Sequence, residues 1–387
     1  MLVVAACADD DDDVAEEPEE TPDEEPEDDE PAEADLEEED IDESAFYYDK
    51  EIEIIVPFST GGGTDTQARF MAPFLPNHIP GAPSIGVFNI AGAGGTVGNN
   101  QFALERDHEE ATSVLFSSAS SFFPWLFEEQ ALELDYTELV GTVAIQTGGI
   151  VYVSPDTGIE SPEDFIDMVG EVDWVAAEQT PDSLGLLNIL AYDMLDMDAQ
   201  VVMGIEGRGP GRVLFEQGEI NINWDTTASV PANVDPLIED GSAVPVFTIG
   251  QMEDGELVED AVFSEEPYNL PTFAEVYEEI HGESPEVEGD LWESYKTLTL
   301  SGYTLQKVMW LHQDAPDEAV ADLREGFASM TEDPEFQEQA LEIIGDYELV
   351  TGDAVDGAVA DLLDLDPALQ EFMLDYIVEN YDHPDPR

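Results

Sequence analysis

Apolar residues along the chain fall into short runs, separated by segments of helical period and by glycine- or proline-rich turns. Residues 52–58 form a β-rich run that breaks at Pro57 into Gly61, Gly62 and Gly63, and a helix is predicted over 66–75. Strand 84–90, the turn Ala91-Gly92-Ala93-Gly94-Gly95-Thr96 and helix 98–104 repeat the pattern. Further strands are predicted at 114–117, 139–145, 150–153, 174–177, 201–205, 220–224 and 244–249, with helices at 184–195 and 210–217. Ser161-Pro162-Glu163-Asp164 is a helix start, with a serine cap, proline in the first position and acids in the first turn. Strands alternating with helices predict an α/β fold whose mostly parallel sheets bind ligands at their carboxyl ends. Roughly 340 folded residues exceed one ordinary core, so two lobes are expected.

The first 45 residues break this pattern. Residues 8–45 are almost entirely Asp, Glu, Pro, Ala and Thr, too poor in apolar side chains to offset the entropy of ordering them. Self-repulsion stretches such a segment, to at most ~125 Å. Met1-Leu2-Val3-Val4-Ala5-Ala6-Cys7 reads as the end of a lipoprotein signal whose apolar stretch is short, with small residues before the cysteine that would carry the lipid. Cys7 is the single cysteine, so no disulfide forms within one chain. Residues 1–7 are read as the signal remnant and 8–45 as a disordered acidic tether that lifts a folded body off a membrane. No later run reaches the length of a spanning helix.

Charge then restricts the partners. The chain has 93 acidic and 9 basic residues, a formal charge of −84. Such a surface repels nucleic acid and anionic lipid. Hydrophobic residues make up 42% of the chain, enough for a core. An acidic surface over an ordinary core fits molar salt, where the Debye length falls to about 3 Å and carboxylates no longer repel at range.

The glycine turns carry the candidate chemistry. Glycine at a strand-to-helix junction lets backbone N–H groups approach a bound group, with the positive end of the helix dipole aimed at it. Two such junctions, Ser59-Thr60-Gly61-Gly62-Gly63-Thr64-Asp65 and 91–96, point to an anion, of which a small carboxylate is the favoured example. Asp65 either caps its helix or binds loop donors, and Ser117, Ser118, Ser120 and Ser121 end a strand where a ligand or a plain loop could lie. Arg208 and Arg212 stand four apart in a chain with so few cations; they either chelate a carboxylate or pair with local acids such as Glu206 and Glu216. Arg69 is read as a structural ion pair. Trp224 is read as core and Asp225 as the candidate site residue at the end of its strand.

These residues carry a resemblance. Val56-Pro57-Phe58-Ser59-Thr60-Gly61-Gly62-Gly63-Thr64-Asp65 with Ala68-Arg69, the turn Asn89-Ile90-Ala91-Gly92-Ala93-Gly94-Gly95, the Gly207-Arg208-Gly209-Pro210 turn leading to residues 217–225, and Leu270-Pro271-Thr272-Phe273-Ala274-Glu275 fall in one order over residues 50 to 350. In that order they resemble the solute-binding proteins of tripartite tricarboxylate transporters, the Bug or TctC family. The chain departs from the family pattern at Ile90, Glu206 and Asn221, and at Arg106-Asp107-His108-Glu109-Glu110.

The resemblance implies a two-lobed periplasmic-binding-protein fold of type II that closes about a hinge. Residues 46–149 plus 255–387 would form one lobe and 150–254 the other. It implies a monomer that takes no cofactor and delivers a di- or tricarboxylate to a large and a small membrane subunit. Ser59–Asp65, Ala91–Thr96 and Ser118 would hold the ligand from one lobe, and Thr180, Ser183, Gly207, Arg208, Gly209 and Asp225 from the other, with Asp182 beside them. No metal-binding, nucleophile-elbow or P-loop spacing is present, so an enzyme acting on a small carboxylate or phosphate ester, or a structural surface protein, is the lesser alternative.

Overall fold

Runs of β-branched residues too apolar to leave either face in water build the first sheet. The structure is a computed structural model that describes residues 41–385 apart from Gly62, Glu206, Gly207, Asp346, Glu348 and Asp382. Cys7 and the expected tether up to residue 40 lie outside the described residues, as do Gly62 and Gly207 of the predicted site. The described chain begins a little before the expected boundary, in a turn where Ser44 N–H donates to Asp42 Oδ1 at 2.9 Å.

Among the described residues thirteen strands follow in chain order: β1 (Glu51–Val56), β2 (Ser84–Asn89), β3 (Ser113–Ser118), β4 (Leu139–Ile145), β5 (Gly149–Val153), β6 (Val175–Glu178), β7 (Gln200–Met203), β8 (Ile222–Thr226), β9 (Val244–Thr248), β10 (Gln251–Glu253), β11 (Glu256–Val258), β12 (Lys307–His312) and β13 (Leu349–Thr351). The first sheet runs β13-β4-β12-β3-β1-β2. Its β1 pairs parallel with β2 and β3, while β12 returns from far along the chain and inserts antiparallel between β3 and β4. The second sheet is β8-β5-β9, all antiparallel, with β6 and β7 as a parallel pair beside it. Asn221 joins the two: its backbone N–H donates to Val175 O at 2.9 Å and its side-chain oxygen accepts from Val175 N–H at 2.8 Å. The amide thus extends the ladder past the end of β8.

One core cluster packs the helix Gly63–Met71 and the helix Asp317–Thr331 on the face of β1, β3 and β12 that carries Val56, Phe116, Met309 and Leu311. The opposite face, with Ile55, Leu115, Val308 and Trp310, belongs to a larger cluster that continues through helix Leu186–Met194 of the second sheet's side. Helix Phe273–His281 begins in a capping box: Glu275 N–H donates to Thr272 Oγ1 at 3.3 Å, and the Glu275 carboxylate accepts from Thr272 N–H at 2.8 Å. The motif Leu270–Glu275 is therefore a helix start. This helix and the next, Asp290–Thr299, lie against β9 and helix Leu186–Met194 respectively, within the second sheet's side. The expected division had put both in the first lobe. Chain return to the first sheet comes at β12, about fifty residues later than expected.

Helices also start earlier than the hydrophobic pattern predicts. The first begins at Gly63, not Thr66, and the one after β7 begins at Arg208, not Pro210. In each case a polar side chain within the first turn, the buried Asp65 or the half-buried Arg208, makes contacts that hold the turn.

Candidate functional site

At the carboxyl end of β1 the first glycine turn is held by a polar relay. Asp65, 3% exposed, accepts from Gly61 N–H at 2.7 Å through one oxygen and from Arg69 Nε at 2.9 Å through the other. Arg69 also donates to Asn89 Oδ1 at 2.9 Å, and Asn89 Nδ2 donates to Phe58 O at 3.0 Å. The last residue of β2 is thereby tied to the turn after β1. Of the two roles open to Asp65, the loop-donor role is the one observed, and Arg69 forms the structural ion pair expected of it. Ser59, Thr60, Gly61 and Gly63 are exposed, and Thr64 is buried.

The second turn packs against the first. Gly95 adopts φ +107°, a left-handed conformation, and a Cβ there would come within 3.0 Å of Ser121 Oγ and 3.4 Å of Phe58 Cε1. Only glycine fits both the angle and the space. Helix Thr96–Glu105 follows, with Thr96 buried and Ala91, Ala93 and Gly94 exposed. Ser118 closes β3 beside these turns, 8% exposed. A cavity of about 10 Å³, room for one water molecule, is lined by Ser117, Ser118, Tyr136, Ser301 and Trp310 among others. Ser117 accepts from Trp310 Nε1 at 2.8 Å. The hydroxyls of Ser121 and Tyr136 and the amide of Asn99 are buried together beside it.

On the second sheet's side the predicted cations are engaged inside the protein. Arg208 Nη1 pairs with Glu178 Oε2 at 3.0 Å and also donates to Ala177 O at 3.3 Å, and its Nε donates to Trp224 O at 3.2 Å. Its Nη2 donates to Asn223 Oδ1, and the guanidinium lies 4.2 Å from the centre of the Trp224 ring. Arg212 pairs with Asp225 Oδ1 at 2.5 Å. The partners are Glu178 and Asp225, from the ends of β6 and β8, rather than Glu216. Glu178 is 1% exposed; burial pushes its carboxyl above the usual range, while Arg208 and the Trp224 indole, 2.7 Å away, pull it back. Asp225 is fully buried, and its second oxygen accepts from Tyr152 Oη at 2.9 Å. Burial raises its pKa too, against the pull of Arg212. Both Asp225 oxygens thus have partners, and Trp224 is a core residue that also serves as the platform under Arg208.

Thr180 is exposed at the turn after β6, where Ser183 Oγ donates to Thr180 O at 2.6 Å. Asp182 reaches His383 at 3.8 Å. Gly209 lies in the first turn of helix Arg208–Glu216.

Sequence reasoning passed over a third group, where the chain crosses between the sheets. Gln251 Nε2 donates to Thr147 O at 2.6 Å, and Thr304 Oγ1 donates to Gln251 Oε1 at 3.1 Å. Tyr347 Oη donates to Asp260 Oδ1 at 2.9 Å and lies 3.0 Å from Thr227 Oγ1, which accepts from Gly148 N–H at 2.9 Å. Segments 146–149 and 304–307, where the chain leaves and regains the first sheet, and segment 249–251 are cross-linked by buried polar groups. Burial raises the pKa of Asp260, which two backbone N–H groups oppose. Single Thr, Gln and Asp residues carry no spacing signal, so only their meeting in space marks them. Gly148 is needed here for room: a Cβ would sit 2.0 Å from Tyr347 Oη and 2.4 Å from Asp260 Oδ2. Gly148→Ala is expected to lower stability by about 1–3 kcal/mol through overpacking, read as a lower denaturation midpoint at constant high salt.

No protein-family model matches the chain, and no curated protein is similar to it in sequence. Solved structures are similar in fold. The periplasmic binding protein BugD is 18% identical, with a TM-score of 0.53 over 86% of this chain and 98% of its own. A TctC solute-binding protein from Polaromonas is 17% identical, with a TM-score of 0.58 over 86% of this chain and 99% of its own. A Rhodopseudomonas palustris protein solved with adipate is 16% identical, with a TM-score of 0.54 over 84% of this chain and 97% of its own. Over that length the chain has the periplasmic-binding-protein fold of the Bug and TctC solute-binding proteins.

Proposed function

We propose that this protein is an extracytoplasmic solute-binding protein of the Bug/TctC type, which captures a small di- or tricarboxylate between two lobes and presents it to the large and small membrane subunits of a tripartite transporter. The observation that supports it most is the convergence of two glycine turns at neighbouring strand ends, fixed by Asp65, Arg69 and Asn89. Fixed turns of this kind offer backbone N–H groups and helix N-termini to an anion without reorganisation on binding. The proposed contacts are Ser59–Asp65, Ala91–Thr96 and Ser118 from one lobe and Thr180, Ser183 and the Gly207–Gly209 turn from the other. Arg208 and Asp225 then act from behind the contact surface, holding that turn to the ends of β6 and β8.

The cross-links among 146–149, 249–251 and 304–307 make this the hinge. The division into lobes keeps 46–149 and 150–254, and helices Phe273–His281 and Asp290–Thr299 go with the second lobe. Binding and release, not turnover, is the proposed activity of the monomer. A lipid on Cys7 and an acidic tether would keep it near its membrane partners, in a salt-rich exterior. The solved relative holding adipate supports a carboxylate as the ligand class.

A thermal-shift screen in about 3 M KCl tests the proposal. Mono-, di- and tricarboxylates, sugars and phosphate are compared at equal concentration. At a hundred times its dissociation constant a ligand adds about 2.7 kcal/mol, a shift of several degrees. A response limited to carboxylates is expected. A response to sugars alone, or silence from every carboxylate in a cooperatively unfolding protein, would reject it.

A further inference from the structure

Every described cation but two has a carboxylate partner. Arg69, Arg106, Arg208, Arg212, Lys296 and Arg324 pair with Asp65, Glu53, Glu178, Asp225, Glu293 and Asp356. Lys50 is half-buried and lies over the Phe46 ring, 3.2 Å from its centre. Lys307 is different: it is 8% exposed, and the partner of its ammonium among the described residues is the neutral side-chain oxygen of Gln306. In a chain with 93 acidic residues, a buried ammonium without a carboxylate is conspicuous. An ion removed from water needs a counter-charge or gives up its proton. Burial alone lowers its pKa, to about 8, so the charged form still dominates at neutral pH.

Its place in the sheet gives the position a use. Lys307 opens β12, opposite Ser118 of β3 on one side and Ile145 of β4 on the other. Met309 and Leu311, two and four residues on, pack into the core cluster that holds Val56, Ala68 and Met71. By strand alternation Lys307 lies on that same face, which is covered by the helix that carries the first glycine turn at its N-terminus. Gln67, buried on that helix, has a side-chain oxygen with no hydrogen-bond partner among the described residues. The carboxyl ends of β1 and β3 therefore bring together a helix N-terminus, the Ser118 position and an uncompensated positive charge.

We infer that Lys307, not Arg208, supplies the counter-charge for the bound anion, which enters between Ser118 and the first glycine turn and provides the carboxylate partner that Lys307 lacks among the described residues. This rests on the solute-binding reading and names the charged residue of its site.

The test combines a variant with a signal that can be read in the parent protein. The full chain is reductively 13C-methylated, and the dimethyl-lysine signals of Lys50, Lys296 and Lys307 are assigned by single Lys→Arg replacements. Succinate, citrate and inorganic phosphate are then added in molar KCl, and Kd is measured for the parent and for Lys307→Met. The expected result is a shift confined to the Lys307 signal and a roughly 10- to 100-fold weaker Kd for Lys307→Met. The variant's ligand-free melting temperature should be unchanged or higher, because it loses a buried charge. A shift of the Lys307 signal with phosphate alone would support the anion site and reject a carboxylate as its ligand. Carboxylate binding with a still Lys307 signal and an unaltered Kd in Lys307→Met would overturn the inference while leaving the carboxylate reading in place. If no anion binds and no signal moves, both fall. Should Lys307→Met fail to fold, the signal in the parent decides.

Discussion

Arg208→Met is expected to lower stability by about 3–5 kcal/mol, the cost of leaving one member of a buried ion pair without the other. Glu178 makes the effect large, being 1% exposed with Arg208 as its cationic partner among the described residues. Methionine keeps an unbranched apolar stem and removes the charge, the guanidinium contact over Trp224 and the hydrogen bonds to Glu178, Asn223 and two carbonyls. The pH dependence has a definite sign. Without Arg208 the folded-state pKa of Glu178 rises further above its unfolded value, so below that pKa the native state holds the extra proton. The deficit of the variant against the parent should therefore shrink as pH falls from about 8 to about 5, and be greatest at the alkaline end. Urea unfolding at fixed salt across that range measures it. A small, pH-independent loss of stability with a large loss of ligand affinity would make Arg208 a ligand contact instead.

Salt is expected to act on the whole molecule. Moving from about 3 M to about 0.2 M KCl lengthens the Debye screen from under 3 Å towards about 8 Å, and carboxylates across the surface begin to repel one another. With a formal charge of −84, this repulsion acts against a net stability of only about 5–15 kcal/mol. The cooperative unfolding transition seen in molar KCl should be lost, or displaced far downward, at low salt, and affinity for an anion should weaken in parallel. Scanning melting temperature and Kd against KCl, with sucrose as the uncharged control, separates screening from exclusion effects. Equal stability and equal Kd at both salt concentrations, with the fold intact, would refute the screening account.

The first half of the chain was largely legible because its cues are local. Proline and glycine after a β-branched run mark the ends of β1 and β2, and Ser161 caps its helix as expected, accepting from Asp164 N–H at 3.2 Å. β12 escaped notice although it lies in the middle of the first sheet, since Lys307-Val308-Met309-Trp310-Leu311-His312 has no turn signal that sets it apart. Its place depends on pairing with strands nearly two hundred residues earlier. The same distance hid the roles of the cations. Arg208 and Arg212 stood out by their rarity, yet Glu178 and Asp225, the carboxylates that engage them, are invisible among so many others until β6 and β8 bring them to one strand end.

By itself, then, the sequence determined the α/β class, the acidic surface and the two glycine turns, because strand propensity, net charge and backbone freedom are properties of neighbouring residues. The tertiary structure alone decided which charges are internal and which is left over. Ion pairing and burial depend on where distant strands end, so only the fold shows Arg208 already neutralised by Glu178, Thr147, Gln251 and Thr304 joined across the crossings, and Lys307 buried beside Ser118 without a carboxylate among the described residues.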